Sequence, residues 1–229
     1  MVSPYSLTIP GGVQQQVLGL ARALREKGHE VRVLGPCDGP PPDSFVTPLG
    51  NSLPTAINGS VAPVAPDASA AFRTIRALND EAFDVLHVHE PLVPGPTLTA
   101  VLVKLAPIVA TFHSAGELGA YKTFQKLGRP IARRIDVRVA VSADAVELAQ
   151  RYIGGEYEIL FNGIDLEAYS GPIVEQRDNA IFFCGRHEPR KGLGVLLEAV
   201  SLMPGDVRLW IASDGPETEH LKDQYKNDQ

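Results

Sequence analysis

Residues 6–24 read SLTIPGGVQQQVLGLARAL. Gly11 and Gly12 follow a proline and stand directly ahead of Val13, Val17, Leu20 and Leu24, which recur at helical spacing. Gly28 stops that helix. Two glycines at a helix start keep β-carbons away from the first backbone N–H groups. An anion can therefore approach them, and the helix dipole favours negative charge there. The same pair also makes a tight strand-to-helix turn that needs no ligand. The G-x-G-x-x-G pattern of dinucleotide sites is absent. The next strand, within HEVRVLGP at 29–36, ends in glycine and proline, where a dehydrogenase would place an acid about 20 residues on. Turn and phosphate seat both stand as readings of this stretch.

Outward from it, short apolar runs alternate with amphipathic ones. Helices are expected at 70–83 and 143–153, and strands at 84–90, 107–112, 137–142 and 157–163. Proline and glycine crowd 35–66, which reads as a long irregular crossover. This alternation implies βαβ units and a parallel sheet covered on both faces. After NGIDLEAYSGP it restarts, with strands at 180–185 and 207–213 and helices at 191–200 and 215–225. The expected division is a Rossmann-like domain over 1–172 and the start of a second over 173–229. One strand-helix-strand unit cannot cover its own sheet, and MVS is too short for the strand that should precede the glycine turn. The chain is therefore expected to be a fragment, truncated at its end and clipped at its start.

Bulk properties narrow the classes. The chain has 229 residues, 44% of them hydrophobic and 21% charged, which is enough for a substantial core. A net charge of −6 argues against nucleic acid as a partner. Cys37 and Cys184 lie far apart and imply a reducing compartment, not a disulfide framework or a zinc site. No apolar run reaches the ~18 residues of a spanning helix, and the start lacks a signal-peptide pattern. The expected location is the cytoplasm.

Four places carry candidate chemistry beside plainer readings. His113, in TFHS, falls just past the C-terminal end of a strand, where open α/β sheets bind ligands. It can hydrogen-bond a hydroxyl, move a proton, or simply tie two loops together. His87 and His89 share one side of a strand and, with no matching third ligand, read as packing residues. GRHEPRKG, 185–192, places Arg186, Arg190 and Lys191 ahead of a helix. Cations there oppose the helix dipole, so the loop either grips phosphate or is merely solvated. Finally, 121–138 holds Lys122, Lys126, Arg129, Arg133, Arg134 and Arg138 against one acid, Asp136. That stretch reads as a face for anionic lipid or as a solvated helix face over Phe124, Leu127 and Ile131.

Taken in order, SPYSLTIPGGVQQQV, FDVLHVHEP, PIVATFHS, VAVS, ILFNGID and GRHEPRKGLGVLLEAV resemble the family 4 retaining glycosyltransferases of the GT-B fold. VHEP, VATFH and EPRKG look nearest to the phosphatidylinositol α-mannosyltransferases within it. The resemblance implies two Rossmann-like domains with a hinge near 171–178 and a metal-independent enzyme without cofactors. It implies a nucleotide-sugar donor, GDP-mannose by that branch, and transfer to a lipid or glycoside acceptor with retention. Gly11 and Gly12 would receive the donor diphosphate, with Arg186 and Lys191 neutralising it. His113 would meet the donor sugar as the catalytic residue, and Tyr5 and Gln14 would face the acceptor. Leu118 stands where that branch commonly carries a lysine for the acceptor phosphate. The same resemblance implies peripheral contact with the anionic inner face of a membrane. Two other readings stay open: a non-catalytic nucleotide- or phosphate-binding remnant, and a GT-B type sugar-nucleotide epimerase that needs no acceptor.

Overall fold

The structure is a computed structural model that describes residues 1–57, 60–115, 128–171, 179–203 and 205–226. The chain divides into two compact units, Met1–Leu166 and Glu167–Gln229.

The first unit is built on parallel strands. Strand β1 (Val33–Gly35) pairs with β2 (Val46–Pro48), and β5 (Leu86–His89), β6 (Ile108–Phe112), β7 (Val137–Ala140) and β8 (Glu158–Ile159) pair in that order. Residues 1–3 knit the two groups together. Val2 bridges Leu34 on one side and Val88 on the other, both in parallel. The Val2 N–H donates to the His87 carbonyl at 2.8 Å and the Ser3 N–H to the Leu34 carbonyl at 2.8 Å. Residues 1–3 thus link the two groups through isolated bridges and are not themselves a strand.

Side-chain alternation divides the core between the sheet's two faces. Met1 and Val33 join Val17, Leu18 and Ala21 of helix α1 (Gly12–Glu26), whereas Val2 and Leu34, one residue on, join the other cluster. That second cluster gathers Leu78 of α2 (Ala68–Glu81), Ala100 and Val101 of α3 (Pro96–Val103), and Ala145, Leu148 and Ala149 of α4 (Ala143–Tyr152). Asp67 caps α2 by accepting the Ala70 N–H at 3.0 Å, and Ser142 caps α4 through the Ala145 N–H at 3.1 Å.

Three stretches depart from the sequence reading. The stretch expected to be irregular contains β2 and an antiparallel hairpin, β3 (Leu53–Ile57) with β4 (Ser60–Val64), in which Pro54 lies opposite Pro63. Proline lacks a donor and is tolerated at such edges, so its presence masked the strands. Helix α3 was not anticipated because PTLTAVLV offers no polar face for periodicity to reveal. The strand expected over 157–163 shrinks to Glu158–Ile159, and Leu160 and Phe161 beyond it are exposed.

The second unit has the expected strand-helix-strand order. Strand β9 (Ala180–Cys184) runs parallel to β10 (Arg208–Ala212), from Ala180 opposite Arg208 to Cys184 opposite Ala212. A short 3-10 turn (Pro189–Lys191) and helix α5 (Leu193–Ser201) connect them, and α6 (Thr218–Gln224) follows. Phe182 and Trp210, side by side on this two-stranded sheet, are both more than half exposed. Both units are therefore α/β with parallel strands, the class expected. The region 172–178, where a hinge was expected, lies outside the described residues.

Candidate active site

Helix α1 begins as the glycine pair implied. Gly11 is extended (φ −176°), so its glycine character is not needed for backbone strain. A β-carbon there would meet the Gln14 side-chain amide, which would have to move aside. Gly12 is exposed, and a β-carbon on it would meet nothing within 4 Å. Packing within the fold does not require a glycine at 12. No side chain caps this helix and its first turn holds no acid, so its positive end is unneutralised by α1 itself. Gln14 is buried, with its amide N–H 3.4 Å from the Ser6 carbonyl, and so braces the preceding loop.

The ends of β5 and β6 hold the densest chemistry. Register sets His87 beside Val109 and His89 beside Thr111, which brings His113, just past β6, next to His89. His89 Nδ1 and His113 Nε2 share a hydrogen bond of 2.9 Å, and His87 Nε2 meets Thr111 Oγ1 at 2.7 Å. The rings stack in sequence, with centroids 4.3 Å apart for His87 and His89 and 5.2 Å for His89 and His113. His87 and His89 do share a side, as their spacing implied, and His89 is a hydrogen-bond partner of His113 as well as a packing residue. Among the described residues no group of three or more His, Cys, Asp or Glu is arranged to hold a metal ion.

Glu90 was overlooked in the sequence, although an acid directly after a pair of strand histidines was there to be noticed. It is 2% exposed and adopts φ +48°, a conformation that costs a non-glycine residue roughly 1–3 kcal/mol unless its surroundings enforce it. Its Oε1 accepts the His113 N–H at 2.7 Å and the Ser114 hydroxyl at 2.8 Å, while its own N–H donates to the Thr111 carbonyl at 2.8 Å. Half-buried Tyr5 feels the same carboxylate. Burial, and then the negative charge of Glu90, push its phenol well above the usual range.

Burial also lowers the three imidazoles. His87 and His113 fall from 6.5 to about 4, and His89 falls well below 6.5, with the Met1 ammonium and the neighbouring rings depressing His87 and His89 further. All three are neutral at pH 7. In the unfolded chain they titrate near 6.5, so between pH 6.5 and about 4 the unfolded state holds more protons than the folded one. Stability is thus fully present above pH 6.5 and is lost as pH falls toward 4. A shift of this size corresponds to roughly 3 kcal/mol for one ring, and the rings do not add independently. The midpoint of urea unfolding is expected to fall steeply between pH 7 and 4.5. A flat midpoint over that range would show that the rings titrate normally.

In the second unit the GRHEPRKG loop is organised around an acid. Glu188, 2% exposed, pairs with Arg186 Nε at 3.2 Å and with Arg190 Nη2 at 2.9 Å. Both arginines remain about half exposed, and Lys191 is exposed. Glu188 thus offsets charge that sequence alone credited wholly to a ligand or to solvent. A β-carbon on Gly215 would stand 2.6 Å from the His187 backbone nitrogen. That close approach lets the His187 N–H donate to the Asp214 carbonyl at 3.1 Å, and Thr218 Oγ1 bonds both His187 Nδ1 and the Gly215 N–H at 2.8 Å. The loops after β9 and β10 are tied together in this way, at the strand ends where such sheets bind ligands.

Of the basic stretch 121–138, Lys122 and Lys126 lie outside the described residues, as does Leu118. Arg134 donates to the Val101 carbonyl and Arg138 to those of Ala132 and Gly154, so both are engaged within the fold. Among the described residues no helix is long and apolar enough to cross a membrane.

Residues 10–168 match the family described as Glycosyltransferase Family 4. The chain is 37% identical, over 98% of its length, to a phosphatidyl-myo-inositol mannosyltransferase of Mycobacterium leprae, and 37% identical, over 89%, to one of Propionibacterium freudenreichii. It spans 62% and 57% of the length of these two relatives. A crystal structure of Acinetobacter baumannii MurG aligns with a TM-score of 0.49 at 14% identity, covering 93% of this chain and 60% of that one.

Proposed function

The chain belongs to glycosyltransferase family 4, and on that premise we propose that it transfers mannose from GDP-mannose to the inositol headgroup of a lipid, with retention of configuration. The observation that carries this reading is the 37% identity, over 98% of the chain, to a phosphatidyl-myo-inositol mannosyltransferase. In this reading the first unit serves the acceptor, and the region from about residue 173 begins the domain for the nucleotide sugar. The work takes place at the inner face of a membrane, with the protein bound peripherally.

Charge determines the division of labour. As the sugar C1–O bond breaks, its electron pair moves onto the diphosphate, and positive groups placed there lower the barrier. The uncapped start of α1, through the backbone N–H groups at Gly11 and Gly12, and the cations Arg186 and Lys191 are the groups assigned to that diphosphate. His113 meets the donor sugar. The acceptor hydroxyl attacks from the face the diphosphate leaves, which retains configuration and lets its proton pass to the departing phosphate oxygen. Tyr5, whose phenol feels the charge of the same Glu90 that binds the His113 N–H, is assigned to the acceptor. Gln14 serves the acceptor by holding the loop at Ser6 that follows Tyr5.

The test is transfer from radiolabelled GDP-mannose to vesicles containing phosphatidylinositol, using the longest natural open frame that contains this chain. Labelled lipid that depends on the inositol headgroup is the expected result. Label on diacylglycerol or simple glycosides alone would overturn the acceptor. Turnover of UDP-N-acetylglucosamine without acceptor would point to an epimerase, and nucleotide binding without any turnover to a binding module.

A further inference from the structure

His113 is held at two points, and together they leave one ring nitrogen for work. Its backbone N–H is bound by Glu90 Oε1 at 2.7 Å, and its ring Nε2 by His89 Nδ1 at 2.9 Å. The remaining nitrogen is Nδ1, on a ring that is only half buried. Whether Nδ1 carries the proton depends on which way the bond to His89 runs.

His89 decides the direction. It is 1% exposed, and its second nitrogen, Nε2, is buried with no hydrogen-bond partner among the described residues. Both rings are neutral at pH 7, so one proton lies between them and each ring carries one in all. If His113 donated, His89 would have to carry its proton on Nε2, as a buried N–H with nothing to accept it. If His89 donates, Nε2 is a bare nitrogen. Orphaned buried N–H groups are the rarer of the two defects in folded proteins. Among the described residues the titratable Glu90 also binds His113, at its backbone N–H.

We propose that His89 is a positioning residue that donates from Nδ1 to His113 Nε2, so that His113 offers a fixed Nδ1–H donor to an oxygen of the substrate. His113 then works as a hydrogen-bond donor to a sugar hydroxyl or phosphate oxygen, and not as a base. This rests on the reading above only in assigning His113 to the donor sugar. The tautomer itself is a property of the chain without substrate.

Long-range 1H–15N correlations of the histidine rings, recorded at pH 7 on the 15N-labelled protein, test it. His113 is assigned by its loss in His113→Gln. The expected spectrum shows His113 and His89 both protonated at Nδ1 and bare at Nε2, against the preference of free histidine for the Nε2–H form. His113 in the Nε2–H form would overturn the proposal. In His89→Leu, His113 should revert to the Nε2–H form, and in His89→Asn, whose amide N–H stands where Nδ1–H was, the Nδ1–H form should return. An unchanged Nδ1–H form in His89→Leu would show that His89 does not set it. Should that variant fail to fold, the parent spectrum alone decides. The expected tautomer in a protein that transfers no sugar would sink the proposed function and leave this assignment standing.

Discussion

His113→Ala is expected to lower kcat/KM for mannose transfer by about 100- to 1,000-fold, the usual loss when one placed donor to a reacting centre is removed. The loss should fall mainly on kcat if the hydrogen bond strengthens as charge develops, and mainly on KM if it only holds the bound sugar. The substitution also leaves His89 Nδ1 buried without its partner, which costs roughly 1–3 kcal/mol of stability. Rates must therefore be compared where circular dichroism shows both proteins folded. Asp67→Ala is the control. It removes the α2 cap, a bond to the Ala70 N–H and not to any member of this cluster, which costs about 1 kcal/mol. Asp67→Ala transferring at the parent rate while His113→Ala does not is the expected pattern. Parental kcat/KM in His113→Ala would remove His113 from the catalytic assignment.

Gly95→Ala is expected to destabilise the first unit by about 3 kcal/mol, with the larger Gly95→Val worse still. Gly95 precedes α3 with φ +119° and ψ −142°, a region essentially reserved for glycine. A β-carbon there would also stand 2.5 Å from the Ala65 carbonyl oxygen. Neither atom can yield cheaply. Both belong to backbone, and Ala65 is fully buried next to Val64 of the hairpin strand. The strain would pass to α3, whose Ala100 and Val101 are fully buried in the larger core cluster. Urea unfolding at pH 7 measures the effect, and a midpoint within error of the parent would show that the loop relaxes freely. Gly12 makes the contrast: it has open space where a β-carbon would go, so its worth is not in packing.

Much of this fold was legible because parallel strands are buried on both faces and appear as unbroken apolar runs. β6 falls where Ile108 announces it, and β9 is read from the apolar run AIFFC although Ala180, Phe182 and Cys184 are exposed. Helix α1 was legible for the opposite reason, since a half-exposed helix alternates apolar and polar residues at its own period. The β3–β4 hairpin and α3 were not. Pro54 and Pro63 argue locally against strands, and α3 is apolar almost all round, so neither carries the contrast that periodicity requires.

The candidate site divides along the same line. Chain order and residue type by themselves determined the family, the glycine pair before α1, His113 past a strand end and the cations ahead of α5, because each is written within a few neighbouring residues. Only the tertiary structure could put His89 on His113, Glu90 beneath the His113–Ser114 turn, and Glu188 between two arginines whose pairing depends on its burial. The His89–His113 and Glu90–His113 contacts span 24 and 23 positions and follow from the register of β5 against β6. Register is set by which faces the packed sheet can bury, a property of the assembled core that no single stretch of the chain contains.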